Sequence, residues 1–258
     1  MVMTTISPTP ALLAYEQLAS VYDHFTDGYD HDGWVERLVQ IARQHGLRGT
    51  RALDVACGTG KSFAPLLRSG YDVWACDISP AMAAHARRRS GLDSDRVLVA
   101  DMRDLPELGA FALVTCLDDA VNYLLEPADL CAAFACVARA LEPEGVYLFD
   151  ANTLATYRAG FAARTRFERP LANAVWRGET RGRIRPGALC SASIEIAGRR
   201  DLSRHVQRHH TESTIRTALM STGLVCRAVF GQSTGGVLHQ DADEEAHTKL
   251  VYVVTRAS

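Results

Sequence analysis

Between residues 51 and 150 short apolar runs alternate with helical stretches, and this rhythm constrains the fold more than any other feature of the chain. "RALDVAC", "YDVWACDIS", "RVLVADMRDLP", "FALVTCLDD" and "VYLFDANT" read as five buried strands, the third with its following loop. Between them, "KSFAPLLRSG" predicts a short helix stopped by Gly70, and "SPAMAAHARRRSG" a helix with Ser79 as N-cap and Pro80 at its first position. "PADLCAAFACVARALEPEG" predicts a third. Such alternation calls for a doubly wound α/β fold, a mostly parallel sheet with helices on both faces. Ligands of such sheets sit outside the carboxyl ends of the strands, so candidate site residues lie just after each strand.

The flanks behave differently. Residues 12 to 47 carry helical spacing with aromatics at Tyr15, Tyr22, Phe25, Tyr29 and Trp34, and "WVERLVQIARQHG" is an amphipathic helix ending at Gly46. After the fifth strand, "NAVWRGETRG", "LCSASIEIA" and "DLSRHVQRHH" read as an antiparallel β ribbon inserted over the sheet edge. "TESTIRTALMSTG" then predicts a helix, and "LVCRAVFGQS" and "HTKLVYVVTR" closing strands. The chain divides accordingly into 1–48, 49–154, 155–210 and 211–258.

The turn after the first strand, "LDVACGTGKS", looks like two phosphate-binding motifs at once. A Walker loop needs glycine where Val55 stands, and a dinucleotide loop needs a third small residue where Phe63 stands. What remains is a strand bearing Asp54, a tight turn with Gly58 and Gly60, and a following helix whose N-terminus faces the ligand. Asp77 closes the second strand 17 residues beyond Gly60, where a carboxylate accepts hydrogen bonds from two ribose hydroxyls. Asp101, followed by apolar Met102, suits an adenine amino group and ring. Together these residues describe an adenosine site.

Composition narrows the function classes. The formal net charge is −2, which disfavours nucleic acid as partner. Seven cysteines, at 57, 76, 116, 131, 136, 190 and 226, show no C-x-x-C spacing and read as reduced, buried hydrophobes, with no metal site expected. "MVMTTISPTP" has a disordered character and lacks the charged and apolar regions of an export signal. No apolar run approaches the ~18 residues of a membrane span, so a cytoplasmic protein without membrane contact is expected. Lysine occurs only at Lys61 and Lys249, a bias toward arginine that speaks of the gene's base composition more than of chemistry.

With "LDVACGTG", "VWACDISPAM", "VADMRDLP", "FALVTCLDD" and "ALEPEGVYLFD" in this order, the chain resembles the class I S-adenosylmethionine-dependent methyltransferases. The likeness covers roughly residues 15 to 155. "YDHFTDGYDHDGW" and the ribbon resemble the small-molecule branch, which includes glycine and antibiotic amino-sugar N-methyltransferases. The resemblance implies a Rossmann-like core at 49–154, a helical lid at 1–48, a substrate-covering insertion at 155–210 and a closing segment at 211–258. It further implies that Ala56, Gly58 and Gly60 line the methionine part and ribose of the cofactor, with Asp54 reaching its amino group. Asp77 would hold the ribose, Ile78 and Met82 would pack near adenine, Asp101 and Met102 would complete the adenine pocket, and Leu117 would pass the methionine chain. Tyr22 and Trp34 are the aromatics expected near the sulfonium and carboxylate.

For catalysis, Asp118, Asp119 and Tyr123 after the fourth strand are the candidates to hold an amine or relay its proton. His210, with His209 beside it, is the candidate base from the ribbon, and Tyr157, Arg181 and His239 are candidates for the substrate wall. Glycine methylators in this branch carry an arginine after the fifth strand; Asp150-Ala-Asn-Thr stands here, which argues against glycine. The expected activity is N-methylation of a small-molecule amine by a monomer or homodimer. The alternatives are O-methylation with a histidine base and, from other classes, an adenosyl-binding module or an NAD-dependent oxidoreductase.

Overall fold

The computed structural model describes residues 8–257. The Ser/Thr/Pro-rich start expected to be disordered lies largely outside the described residues. Three helices open the chain: α1 (Pro10–Leu18), α2 (Tyr22–Phe25) and α3 (His31–Gln44). The core follows as β1 (Arg51–Val55), α4 (Ala64–Arg68), β2 (Asp72–Asp77), α5 (Pro80–Ser90), β3 (Val97–Val99), β4 (Phe111–Cys116), α6 (Pro127–Ala140) and β5 (Leu141–Asn152). A one-turn 3-10 helix, Ala120–Tyr123, interrupts the path from β4 to α6. Beyond β5 come α7 (Leu154–Gly160), β6 (Arg166–Arg169), β7 (Ala174–Gly178), β8 (Leu189–Ile196) and β9 (Ser203–Arg208). The chain closes with α8 (Glu212–Ser221), β10 (Leu224–Gln232), β11 (Leu238–His239) and β12 (Lys249–Arg256).

Local chemistry sets these boundaries. Ser79 caps α5 by accepting from the Met82 N–H with Pro80 in the first turn, and Gly91 at φ 72° ends it in the left-handed conformation. Glu126 and Asp129 form a reciprocal capping box at the start of α6. Helix α4 begins only at Ala64, so the loop itself, and no helix N-terminus, borders the ligand side of the glycine turn.

The main sheet has eight strands in the order β11-β10-β12-β5-β4-β1-β2-β3. β3, β2, β1, β4 and β5 are parallel, and β12 runs antiparallel between β5 and β10. Every residue of β4 is buried, as its apolar sequence, broken only by Thr115, requires of a strand covered on both faces. One core cluster packs α6 and α8 against the sheet and a second packs α3, α4 and α5 against the opposite face. Burial of these apolar surfaces, at about 25 cal/mol per Å², is the main force holding the layers.

The expected ribbon is a separate four-stranded antiparallel sheet, β6-β7-β8-β9. It packs against α1 and α2 through Leu18, Ala174, Ile194 and Ile196, and against α7 through Tyr157 and Phe161. This brings β9 over the carboxyl ends of β4 and β5, where Asn122 donates to the Arg208 carbonyl.

Candidate active site

At the end of β1 the backbone turns through Ala56, Gly58 and Gly60, at φ 57°, 53° and 85°. Left-handed geometry costs glycine little and an alanine about 1 kcal/mol, so Ala56 stores strain held by its surroundings. The restraint comes from Asp77: one carboxylate oxygen accepts from the Gly58 N–H and the other from the Ser79 N–H, both at 2.8 Å. Burial pushes this carboxyl up to about 6 despite the two N–H bonds that favour its charge.

Two voids open from this turn and a third adjoins them. The smallest, about 60 Å³, lies between Gly58, Asp77, Ile78, Met102, Leu117 and Asp118. A second, about 310 Å³, shares Ala56, Ile78 and Met102 with it and extends along Asp101. The third is a chamber of about 670 Å³ under the second sheet. Tyr123 borders all three, and Tyr15, Tyr22, His31 and Asp118 border both the small cavity and the chamber.

The chamber floor is a charge cluster. Asp118 and Asp119 are consecutive non-glycine residues in the left-handed region, at φ 61° and 55°. Asp150 holds them there, its two oxygens accepting from the Asp118 N–H at 2.7 Å and the Asp119 N–H at 2.9 Å. Lys249, at the start of β12, reaches Asp150 at 2.8 Å, Asp119 at 3.2 Å and Asp118 at 3.5 Å. His31 adds a 3.0 Å contact to Asp118. Burial raises the Asp118 carboxyl, yet Lys249 and His31 outweigh it and hold it below the usual range. For Asp119 burial prevails over Lys249 and Gln207, and its carboxyl is raised.

Above the floor stands a tyrosine–histidine pair. The Tyr123 hydroxyl lies 2.7 Å from His205 Nδ1, and His205 Nε2 lies 3.0 Å from Ser203 Oγ. Because Ser203 donates its own proton to the Ala14 carbonyl, its oxygen is free to accept from Nε2–H. Nδ1 therefore accepts from Tyr123. Burial drives His205 down to about 4 and keeps the ring neutral at physiological pH.

The predicted residues fall into two groups. Tyr22, Ala56, Gly58, Asp77, Ile78, Met102, Leu117, Asp118 and Tyr123 line the small cavity, Asp101 the adjoining one, and Asp119 the chamber. Asp101 is also paired to Arg103 at 2.6 Å, which overcomes burial and lowers its carboxyl. The others stand away from the voids. Asp54 is fully buried and its oxygens accept from Ser62 at 2.5 Å and Thr115 at 2.6 Å, so it braces the strand ends. Gly60 serves packing, since a Cβ there would meet the Phe63 ring at 2.9 Å. Met82 and Trp34 are fully buried, Trp34 within the α3 core behind the rings of Tyr29 and His31, with Lys249 5.8 Å above its ring. His210 lies 2.9 Å from the Leu124 carbonyl and His209 lies 3.0 Å from Glu244, so neither ring reaches the chamber. Tyr157 is buried and donates toward Gln207 and the Arg208 carbonyl. Arg181 and His239 do not border the chamber.

Sequence reasoning passed over Lys249, His205, Gln207 and His31. Gln207 donates to Asp119 at 2.7 Å and accepts from Asn152, tying β9 to the floor. Strand periodicity was the available signal for it and for His205: along β9, Ser203, His205 and Gln207 share the buried face.

The fold and the site define a Rossmann-like protein with its cavities along the carboxyl edge of a parallel sheet. Residues 52–145 match the family model described as a methyltransferase domain. Among curated proteins it is 33% identical over 143 residues to YqeM of Bacillus subtilis (strain 168), covering 55% of this chain and 56% of that protein. It is 34% identical over 137 residues to the dTDP-3-amino-3,6-dideoxy-alpha-D-glucopyranose N,N-dimethyltransferase of Streptomyces fradiae, 52% of each chain. The chain thus spans little more than half the length of the curated relatives it matches. The crystal structure of an S-adenosylmethionine-dependent methyltransferase from Clostridium acetobutylicum superposes with a TM-score of 0.76 at 22% identity, covering 95% of this chain and 99% of that one. The fold is the Rossmann-like fold of those enzymes. Among the described residues no helix is long and apolar enough to cross a membrane.

Proposed function

We propose that the chain is an S-adenosylmethionine-dependent methyltransferase that transfers a methyl group in line to the nitrogen of a small-molecule amine. The observation that carries this reading is Tyr123, the side chain common to the two cavities beside the glycine turn and the chamber. The donor set fits the cofactor. Asp77 offers carboxylate lone pairs for ribose hydroxyls beside an open glycine turn, and Ile78 and Met102 form an apolar slot ending at Asp101. Tyr15, Tyr22 and Tyr123 put aromatic rings where a sulfonium is favoured. Bound there, the cofactor supplies an electrophilic methyl on a positively charged sulfur.

The protein's own work is orientation, proton handling and exclusion of water. Three carboxylates, Asp118, Asp119 and Asp150, face one ammonium, Lys249, so the floor attracts a cationic amine and repels an anionic acceptor. The Tyr123 oxygen, donating to His205, keeps lone pairs that orient the acceptor's N–H, and the proton leaves to the Asp119 carboxylate of the floor and on to solvent. Helices α1 and α2 and the second sheet close the chamber from above. Asp23 latches α2 to the glycine turn through Thr59 at 2.6 Å and to α5 through Arg89.

A hydroxyl acceptor is the second reading, favoured by the same Tyr123–His205 pair; the excess of carboxylates weighs for the amine. A dinucleotide-dependent oxidoreductase is opposed by Phe63, buried where a small residue is needed. Titration calorimetry with S-adenosylhomocysteine, NAD and ATP tests the reading. S-adenosylhomocysteine is expected to bind at least tenfold more tightly than either, and tighter binding of NAD or ATP would overturn it.

A further inference from the structure

The chamber has a charged floor and a compact aromatic and aliphatic wall, with Asn152, Thr156, Glu168 and Arg169 also along its border. Its floor, at the junction with the small cavity, carries Asp118, Asp119, Lys249, Gln207 and the Tyr123–His205 pair. An apolar wall beside it, meeting the floor where Trp176 lies against His205, is built by Leu18, Phe25, Phe161, Trp176 and Ile194. The one hydrogen-bonding group on that wall is consumed, because the Trp176 indole N–H donates to the Gly160 carbonyl at 2.6 Å. Phe25, Phe161 and His205 surround the indole with ring centroids at 6.5, 5.2 and 5.8 Å. The wall also continues outward. Phe167 and Leu171 border the chamber while remaining 42% and 64% exposed, and the Arg169 guanidinium lies over Phe25 and Phe167 at 5.6 and 5.8 Å.

We propose that the acceptor is an arylalkyl amine, a nitrogen carried on an apolar ring-bearing body, and neither an amino sugar nor a free amino acid; this rests on the methyltransferase reading. At about 670 Å³ the chamber falls within the roughly 300–1,000 Å³ of sites for drug-sized ligands. Glycine would leave most of it to water. An amino sugar carries hydroxyls around its whole ring, and those facing Phe161, Trp176 and Ile194 would lose their water without a replacement partner. An aromatic body instead buries its faces against Trp176 and Phe25, and a longer one emerges along Phe167 and Leu171. The amine end then lies at the carboxylate floor beside Tyr123. The charged floor and apolar wall of the chamber thus select one polarity of acceptor.

The test uses the full chain saturated with S-adenosylhomocysteine, titrated calorimetrically with 2-phenylethylamine, D-glucosamine and glycine. The expected result is at least tenfold tighter binding of 2-phenylethylamine, weakened about tenfold by Trp176→Ala. Because Trp176→Ala risks the packing of the second sheet, Phe167→Ser at the exposed rim is the companion variant, with a longer probe, 4-phenylbutylamine, expected to lose about threefold. S-adenosylhomocysteine binding by each variant checks that it is folded. Glucosamine or glycine binding as tightly as 2-phenylethylamine to the loaded protein would overturn the acceptor class and leave the methyltransferase reading standing. Failure of the wild-type chain to bind S-adenosylhomocysteine would overturn both.

Discussion

Lys249→Met removes the one ammonium that faces Asp118, Asp119 and Asp150, and its cost can be worked out from the site. The lysine side chain is 15% exposed and Asp150 is fully buried, so no water shell is at hand to replace the ion pairs. Breaking a buried pair from one side costs about 3–5 kcal/mol because a charge is left uncompensated. The protein has one relief: burial already lifts the Asp150 carboxyl to about 6, and losing Lys249 lifts it further. Carboxyls whose folded pKa exceeds the unfolded value bind more protons in the native state, so the variant gains stability as pH falls through that folded pKa. Urea unfolding followed by tryptophan fluorescence should therefore show a loss of about 3–5 kcal/mol at pH 7.5 and a clearly smaller loss, relative to wild type, at pH 5.5. A loss below about 1 kcal/mol, or one independent of pH, would refute the charge cluster as the device holding the Asp118–Asp119 turn.

Asp77→Asn should weaken S-adenosylhomocysteine binding by about 1.5–3 kcal/mol, measured by calorimetry with the fold checked by circular dichroism. Since the wild-type Asp77 carboxyl is raised to about 6, its affinity should fall about tenfold between pH 7 and pH 5 as the acceptor oxygens are protonated, and the asparagine variant should lose this dependence. Tyr123→Phe and His205→Gln should each lower kcat by about 10²–10⁴-fold at saturating acceptor, whereas His210→Ala, which removes a ring held at the Leu124 carbonyl, should leave kcat within about threefold. Asp23→Ala, by releasing α2 from Thr59 and Arg89, should speed proteolytic cleavage near residues 20–30 in the absence of ligand, with S-adenosylhomocysteine restoring protection.

The parallel core was readable because strands buried on both faces write near-continuous apolar runs, and because Gly58 and Gly60 mark a turn few other residues can make. Strand β6, Arg166–Arg169, gave no such signal: all four residues are exposed and carry neither an apolar run nor alternation. Trp34 illustrates an ambiguity that spacing alone leaves open, since an aromatic stripe on α3 serves a core as well as a ligand. For the ribbon, the histidines at its end drew the reading, while strand alternation put His205 on the inner face and handed His209 and His210 to Glu244 and Leu124. Lys249 had no local signature at all. Its partners come from β4 and β5, and only the insertion of β12 beside β5 brings them together.

The central claim is that an adenosyl cofactor lies along the glycine turn and Asp77 with its sulfur at the Tyr123 junction, open to the chamber. A crystal structure of the S-adenosylhomocysteine complex, with the ligand sulfur located by its anomalous signal, tests this most directly. The account predicts the ribose hydroxyls on Asp77 and the sulfur beside Tyr123, its free face toward the carboxylate floor. A sulfur peak elsewhere, or one walled off from the chamber by protein, would contradict it.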